Sequence, residues 1–194
     1  MPKIDVSDGL LERFLGRSID DAELEPLLSS AKAVLDERDL AGAIRNIELN
    51  DTNRPDLWST AGLARQLRAR LGAPPPIYDC FSLPGEPLPA EGRIIEVDAG
   101  LREVRPFIVG FQASGPAVGE ALLADLIQTQ EKLCWSYGRK RRSIAMGVYR
   151  AGSLRYPIRY QAVDPDATSF APLSADDEPP ATMSLREVLT RHPK

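Results

Sequence analysis

Apolar positions recur every three or four residues in the first part of the chain, which is the pattern of helices packed on one side. Residues 7–16 (SDGLLERFLG) predict such a helix, with Ser7 as a candidate N-cap and Gly16 as its end. A second helix is expected over residues 20–32. A third is predicted between residues 56 and 71, where the apolar stripe consists of Leu57, Ala61, Ala64, Leu67 and Leu71.

Segments with alternating or half-alternating apolar positions predict strands. The candidates are AVLDERD (33–39), AIRNIEL (43–49), RIIEV (93–97), RPFIVGFQ (105–112), SIAMGVY (143–149) and YPIRYQAV (156–163). A long helix is predicted over residues 118–138. Ser184 and Glu187 have the spacing of a capping box, which predicts a last short helix after residue 184.

Proline and glycine divide the chain after residue 72. Proline cannot continue a helix and favours an extended conformation in the residue before it, so GAPPP at 72–76 predicts a break. We expect a helix and strand module at 1–73, a Pro-rich linker at 74–92 and a mixed module at 93–194. The order of elements predicts the α+β class.

Composition narrows the classes of function. Charged residues make up 27% of the chain and the net charge is −4, so the whole molecule is not a cationic nucleic-acid binder. No apolar run approaches the ~20 residues of a membrane span, and the first twenty residues lack a signal-peptide core. We therefore expect a cytoplasmic chain that binds neither membrane nor DNA. Cys80 and Cys134 have no metal-ligand spacing and predict two reduced thiols.

The tetrad Asn53-Arg54-Pro55-Asp56 stands in front of the third helix. Pro55 suits the first position of a helix, and Asp56 can accept hydrogen bonds from free N–H groups of the first turn. Asn53 is typical of turns. Arg54 has no evident local role and could pair with Asp51 or Asp56, or contact a neighbouring segment or a partner. The tetrad is interpreted as a structural strand–turn–helix motif, with a functional contact as the alternative.

Five segments in order give the chain a family resemblance. NRPDLWSTAGLARQLRARLG resembles the pattern N-R-P/Y-D-L-x-S-x-x-G-x-A-R of phenylalanyl-tRNA synthetase β subunits. The opening 28 residues resemble the start of the same N-terminal region. REVRPFIVGFQA, QTQEKLCWSYGRKRRSIAMGVY and FAPLSADDEPPATMSLREVLTRHPK resemble its later parts, in the same order. The second of these three resembles the archaeal and eukaryotic branch. The chain thus resembles the first module and the first half of the editing module.

The resemblance implies an N-terminal part of a phenylalanine–tRNA ligase β subunit. In that family β assembles with an α subunit into an (αβ)₂ heterotetramer that joins phenylalanine to tRNA(Phe), using ATP and Mg²⁺. The family's aminoacylation site lies on α, so we expect no catalytic residue, metal ligand or bound cofactor on this chain. The implied role is tRNA binding, editing and subunit structure. One alternative is a free-standing tRNA- or protein-binding module without ligase activity, and another is a trans-acting editing hydrolase.

The candidate RNA-binding or editing residues are Arg139, Lys140, Arg141, Arg142 and Cys134. The four cations form either a solvated turn at a helix C-terminus or a set of donors for phosphates, with Trp135 and Tyr137 as stacking surfaces. Cys134 stands where the family has a histidine. Cysteine in a mostly apolar helix is more often a small core residue, so Cys134 is interpreted as one, with a role in the editing pocket as the alternative.

Overall fold

The computed structural model describes residues 2–78, 91–115, 117–172 and 181–191. Their fold is mixed α+β, as predicted from the order of the elements. The chain divides into two compact units. The first unit comprises Met1–Glu86 and Ser114–Arg150, and the second comprises Pro87–Ala113 and Ala151–Lys194. In this division residues 114–150 group with the N-terminal unit, whereas the sequence places them in the module at 93–194.

A three-stranded antiparallel sheet forms one layer of the first unit. Its strands are β1 (Lys3–Ser7), β2 (Ala33–Asp39) and β3 (Ile44–Leu49), in the order β1-β3-β2. Alternate side chains of a strand point to the same face of the sheet. Ile4 of β1 pairs with Ile47 of β3, and both are fully buried. Asp5, Asn46 and Glu48, which alternate with the buried positions, are exposed or half-buried.

Three helices cover the buried face of this sheet, namely α1 (Asp8–Leu15), α2 (Asp21–Leu28) and α3 (Thr60–Arg70). Leucines from all three pack with the strand residues in one core cluster. Gly16 ends α1 in the left-handed conformation at φ 81°, as its position predicts. Ser7 stands at the N-cap of α1, but its side chain makes no capping hydrogen bond. The first turn carries the Asp8 carboxylate instead.

The third helix begins later than its sequence indicates. Pro55–Leu57 forms a separate 3-10 turn, and the helix proper begins at Thr60, after the N-cap Ser59. The predicted stripe is partly wrong. Leu57, Ala64 and Leu67 are buried with Leu63, but Ala61 in the first turn of the helix and Leu71 at its C-cap are exposed.

The helix predicted over 118–138 is α4 (Glu120–Trp135). It packs against β1 within the first unit. The segment 143–149 that follows is not a strand. Its backbone N–H groups at Met146 and Val148 donate to the side chains of Cys134 (3.1 Å) and Gln130 (3.0 Å). Side chains of α4 therefore satisfy donors that a neighbouring strand would otherwise satisfy.

The described residues of the second unit form two small sheets. β4 (Ile95–Val97) pairs in parallel with β5 (Ile158–Tyr160), and β6 (Ser169–Phe170) pairs antiparallel with β7 (Met183–Ser184). The last helix, α5 (Leu185–Arg191), begins after β7. The predicted capping box is confirmed, because the Ser184 N–H donates to Glu187 Oε2 at 2.9 Å and the Glu187 N–H donates to Ser184 Oγ at 3.2 Å.

The predicted strand at 105–112 is wrong for the described residues. Within the described part of the chain this segment pairs with no strand. Its alternating side chains are almost fully exposed, with Phe107 at 88%, Val109 at 95% and Phe111 at 95%. Alternation supplies one apolar face, but a strand also needs a partner for its backbone groups. Cys80 and most of the linker predicted at 74–92 lie outside the described residues.

Candidate nucleic-acid interface

The Asn53–Asp56 turn contains a salt bridge in which Arg54 makes two hydrogen bonds to Asp56. Arg54 donates through Nε to Asp56 Oδ1 and through Nη2 to Asp56 Oδ2, both at 2.9 Å. Arg65, one turn into α3, donates to the same Asp56 Oδ2 at 3.0 Å. The structure thus gives Arg54 the local partner that the sequence left open. The bound guanidinium of Arg54 lowers the pKa of Asp56 below its usual range, and Arg65 lowers it further.

Close packing against the Asn53–Asp56 turn explains why the sequence has a glycine at position 62. A Cβ at this position would lie 1.7 Å from the carbonyl oxygen of Asp56, so only glycine lets the turn approach the helix. The Gly62 N–H donates to Ser59 Oγ at 3.0 Å and completes the N-cap. Asp56, Ser59, Gly62 and Arg65 therefore form one self-contained turn-to-helix structure.

A buried carboxylate joins this turn to α4. Asp125 is 5% exposed, and its Oδ1 accepts from the backbone N–H of Thr60 at 3.0 Å and from the Thr60 hydroxyl at 2.7 Å. Gln128 donates to the same oxygen at 3.1 Å and to the Asp5 carbonyl of β1 at 2.6 Å. These bonds fix α4, and the residues that follow it, relative to the Asn53–Asp56 turn.

We call Arg139–Arg142 the basic segment. It folds back over the end of α4 instead of leaving it. The N–H groups of Arg139, Lys140 and Arg141 donate to the carbonyls of Ser136 (3.1 Å), Trp135 (2.8 Å) and Cys134 (2.9 Å). The same three residues adopt left-handed backbone conformations, with φ of 50°, 56° and 64°. Non-glycine residues are uncommon there, and three in succession concentrate backbone strain in the basic segment.

The side chains of the basic segment are exposed, and Lys140 and Arg141 contact side chains of α4. The Lys140 ammonium lies 5.0 Å from the centre of the Trp135 ring, a cation–π contact. Arg141 donates to Glu131 at 2.6 Å across solvent-exposed surface. Arg139 and Arg142 are exposed as well. The left-handed turn thus places four cations at the end of α4, where they can meet an anion.

Gly138 makes this turn possible. A Cβ there would lie 2.3 Å from the Ile144 carbonyl oxygen and 2.5 Å from the Cys134 carbonyl oxygen. Cys134 itself is 1% exposed and free, and its sulfur accepts from the Met146 N–H. The structure therefore places this candidate residue in the interior, where it packs and bonds as a core side chain.

A hollow of about 390 Å³ lies between the Asn53–Asp56 turn and the end of α4. Its lining residues come from the chain start, the Asn53–Asp56 turn and the end of α4: Pro2, Thr52, Asn53, Pro55, Trp58, Ser136 and Tyr137. Trp58 is 3% exposed, and its indole N–H has no acceptor among the described residues. Tyr137 is 64% exposed. The hollow combines aromatic and proline surfaces with hydroxyl and amide groups.

The structure thus brings the Asn53–Asp56 turn close to the end of α4, which the sequence separates from it by about 80 residues. Asn53 and Pro55 line the hollow, whereas Arg54 and Asp56 bind each other beside it. The basic segment begins two residues after Tyr137, and Cys134 does not line the hollow. No sequence pattern indicates a role for Trp58 or Ser136, because only the contact of α4 with the N-terminal sheet and helices makes them neighbours.

Comparison with known proteins relates the whole chain to one family. No protein-family model matches it. Phenylalanine–tRNA ligase β subunits from Borrelia garinii and Borreliella burgdorferi are 43% and 42% identical to it over 194 residues, which is 100% of this chain and 33% of each relative. The chain is a homologue of the N-terminal region of phenylalanyl-tRNA synthetase β subunits. The resemblance seen in its motifs is confirmed.

A solved structure supports the same conclusion from the fold. An N-terminal fragment of the phenylalanyl-tRNA synthetase β subunit from Pyrococcus horikoshii matches with a TM-score of 0.75 and 34% identity. The match covers 99% of this chain and 53% of that chain. The chain spans about a third of the length of the curated synthetase β subunits it matches.

Proposed function

We propose that the chain acts as the N-terminal part of a phenylalanine–tRNA ligase β subunit and contributes to tRNA binding, editing and subunit structure. The observation that carries the proposal is its relationship to these subunits over its full length. In this proposal it does not catalyse aminoacylation by itself. The ligase activity belongs to the assembled enzyme.

The basic segment is the proposed RNA contact of the first unit. Arginine guanidinium groups offer planar pairs of N–H donors that match phosphate oxygens. The hydrogen bonds from the segment to the carbonyls at the end of α4 fix where these groups emerge. Asp125 and Gln128 in turn anchor α4 to the N-terminal sheet and helices. The strained turn therefore presents cations from a rigid support, which lowers the cost of ordering them on binding.

ATP and Mg²⁺ are assigned to the complete enzyme and not to this chain. No three His, Cys, Asp or Glu side chains come together as a metal site within residues 2–78, 91–115, 117–172 and 181–191. The chemistry of activation is placed with the α subunit.

The proposed partners are a synthetase α subunit, as in an (αβ)₂ assembly, and tRNA(Phe). The proposed location is the cytoplasm, where translation takes place. Among the described helices none has the length and apolar content needed to span a membrane.

Salt dependence of tRNA binding tests the RNA contact. A variant with Arg139→Gln, Lys140→Gln and Arg142→Gln removes three cations, and its control carries Arg68→Gln and Arg70→Gln at the exposed end of α3. Binding of tRNA(Phe) is measured by anisotropy between about 50 and 200 mM salt. We expect the slope of log K against log salt to fall by up to about 2 in the triple variant. Equal slopes for the triple variant and the parent chain would refute the contact.

A free-standing tRNA- or protein-binding module is the second candidate. In that case the chain binds tRNA or a protein partner without ligase activity. Affinity purification of the endogenous protein decides between them. Recovery of a synthetase α subunit in equal amount supports the ligase subunit, whereas recovery of tRNA without α supports the module.

A further inference from the structure

We propose that the hollow between Asn53–Trp58 and Ser136–Tyr137 binds an unstacked RNA base whose phosphate contacts the basic segment. The inference rests on the proposed RNA binding and adds a site to it. A hollow of about 390 Å³ falls in the size range of small-molecule sites, roughly 300–1,000 Å³. A base that has left its stack is the part of an RNA that such a site can hold.

The walls of the hollow suit a flat aromatic ligand. Pro55 and Trp58 supply apolar surface from one side, and Tyr137 supplies a ring from the other. Tyr137 is 64% exposed, so the free chain leaves much of this side chain uncovered. Stacking of a base on an aromatic side chain requires such an uncovered face, and it tolerates any base because every base has one.

The polar groups of the hollow suit the edge of a base. Thr52, Asn53 and Ser136 contribute two hydroxyls and one amide. Within the described part of the chain, none of these three side chains makes a hydrogen bond. The amide of Asn53 can donate and accept at once, which matches the neighbouring donor and acceptor on an adenine edge.

Charge identifies the ligand as a nucleotide and not a peptide. Aromatic and proline walls could also receive a proline-rich peptide, which carries no phosphate. The basic segment follows Tyr137 after one residue, and the Arg139 N–H donates to the Ser136 carbonyl at 3.1 Å. A wall of the hollow and the start of the basic segment are thus joined directly. A ligand with a flat ring and an attached anion uses both features.

The two tryptophans provide the assay. Trp58 lines the hollow and Trp135 does not, and the chain has no third tryptophan. Trp135→Phe leaves Trp58 as the reporter and retains an aromatic ring beneath Lys140. The probes are a single-stranded tetranucleotide of adenosine and an abasic tetranucleotide of the same length and charge.

We expect the adenosine probe to change Trp58 fluorescence on the Trp135→Phe chain and to bind at least about fivefold more tightly than the abasic probe. Tyr137→Ala should abolish that difference, and Tyr137→Phe should retain it because the ring remains. Asn53→Ala should weaken the adenosine probe and leave the abasic probe unchanged. Tyr137 and Asn53 are exposed side chains, so the folded state should tolerate these changes.

Equal affinity for the two probes, or an unchanged difference in Tyr137→Ala, would overturn the base site. So would a proline-rich peptide that competes with tRNA for the hollow without any binding of the adenosine probe. Neither result affects the proposed contact of phosphate with the basic segment, which the salt slope tests by itself. Conversely, an unchanged salt slope in the triple variant with an intact base preference would refute the phosphate contact and retain the base site.

Discussion

Asp125 of α4 accepts two hydrogen bonds from Thr60, one from its backbone N–H at 3.0 Å and one from its hydroxyl at 2.7 Å. Thr60 is the first residue of α3, where backbone N–H groups lack partners within the helix. The carboxylate therefore caps α3 from another helix, 65 residues away in the chain. Both residues are buried, so water cannot replace either bond.

Asp125→Ala is expected to destabilise the first unit strongly. The substitution leaves two buried donors of Thr60 without an acceptor, at about 1–3 kcal/mol each. Both tryptophans lie in this unit, so urea unfolding followed by tryptophan fluorescence reports its free energy of unfolding.

Asp125→Asn is the matched control, because its amide oxygen can still accept from Thr60. We expect it to retain most of the stability lost in Asp125→Ala. A double-mutant cycle with Thr60→Val should give a coupling of about 0.5–3 kcal/mol. Additive free energies would show that the two side chains do not interact.

Gly62→Ala should disrupt the turn before α3. The added Cβ would lie 1.7 Å from the Asp56 carbonyl oxygen, so the backbone of the turn must move. Overpacking of this kind costs about 1–3 kcal/mol or more. Gly9→Ala in α1 is the control, since nothing lies within 4 Å of the position its Cβ would take and alanine favours a helix by about 0.5–1 kcal/mol. The two alanines should therefore change the urea midpoint in opposite directions, and a shared direction would contradict the packing argument.

Acid unfolding should depend on Asp21. Its carboxylate binds Arg45 at 2.7 Å, and this hydrogen bond lowers the pKa of Asp21 below the ordinary 3.8, with Arg38 adding to the effect. A lowered folded-state pKa contributes stability above the unfolded-state value, and that contribution is lost as the pH falls through the folded-state value. Asp21→Asn should therefore be less stable than the parent at neutral pH, and the difference should shrink as the pH falls below 3.8.

Asp166→Asn is the control for this measurement. Asp166 also has a lowered pKa, from its bond to Arg186, but the pair is exposed and lies in the second unit. Asp166→Asn should therefore leave the tryptophan-detected unfolding curve of the first unit unchanged at each pH. A difference between parent and Asp21→Asn that stays constant from neutral pH to pH about 3 would rule out the linkage.

Local patterns predicted the elements whose causes are local. Gly16 at the end of α1 and the Ser184–Glu187 capping box depend on a few neighbouring residues, and both occur as expected. The strand predicted at 105–112 needed a partner that alternation cannot supply. The sequence did not predict the hollow lined by Trp58 and Tyr137, because these residues become neighbours only when α4 packs on the N-terminal sheet and helices.

Arg139 allows the strain in the basic segment to be separated from its charge. At φ 50° an arginine or alanine is in the left-handed region, which costs about 1–2 kcal/mol, whereas glycine adopts it freely. Arg139→Gly and Arg139→Ala remove the same cation. We expect the glycine variant to be more stable than the alanine variant by about 1 kcal/mol in urea unfolding.

Both variants should lose the same amount of tRNA affinity if the cation alone is responsible. If the glycine variant binds more weakly than the alanine variant, the held conformation of the segment also contributes to binding. If the alanine and glycine variants unfold at the same urea concentration, the left-handed turn is not present in solution.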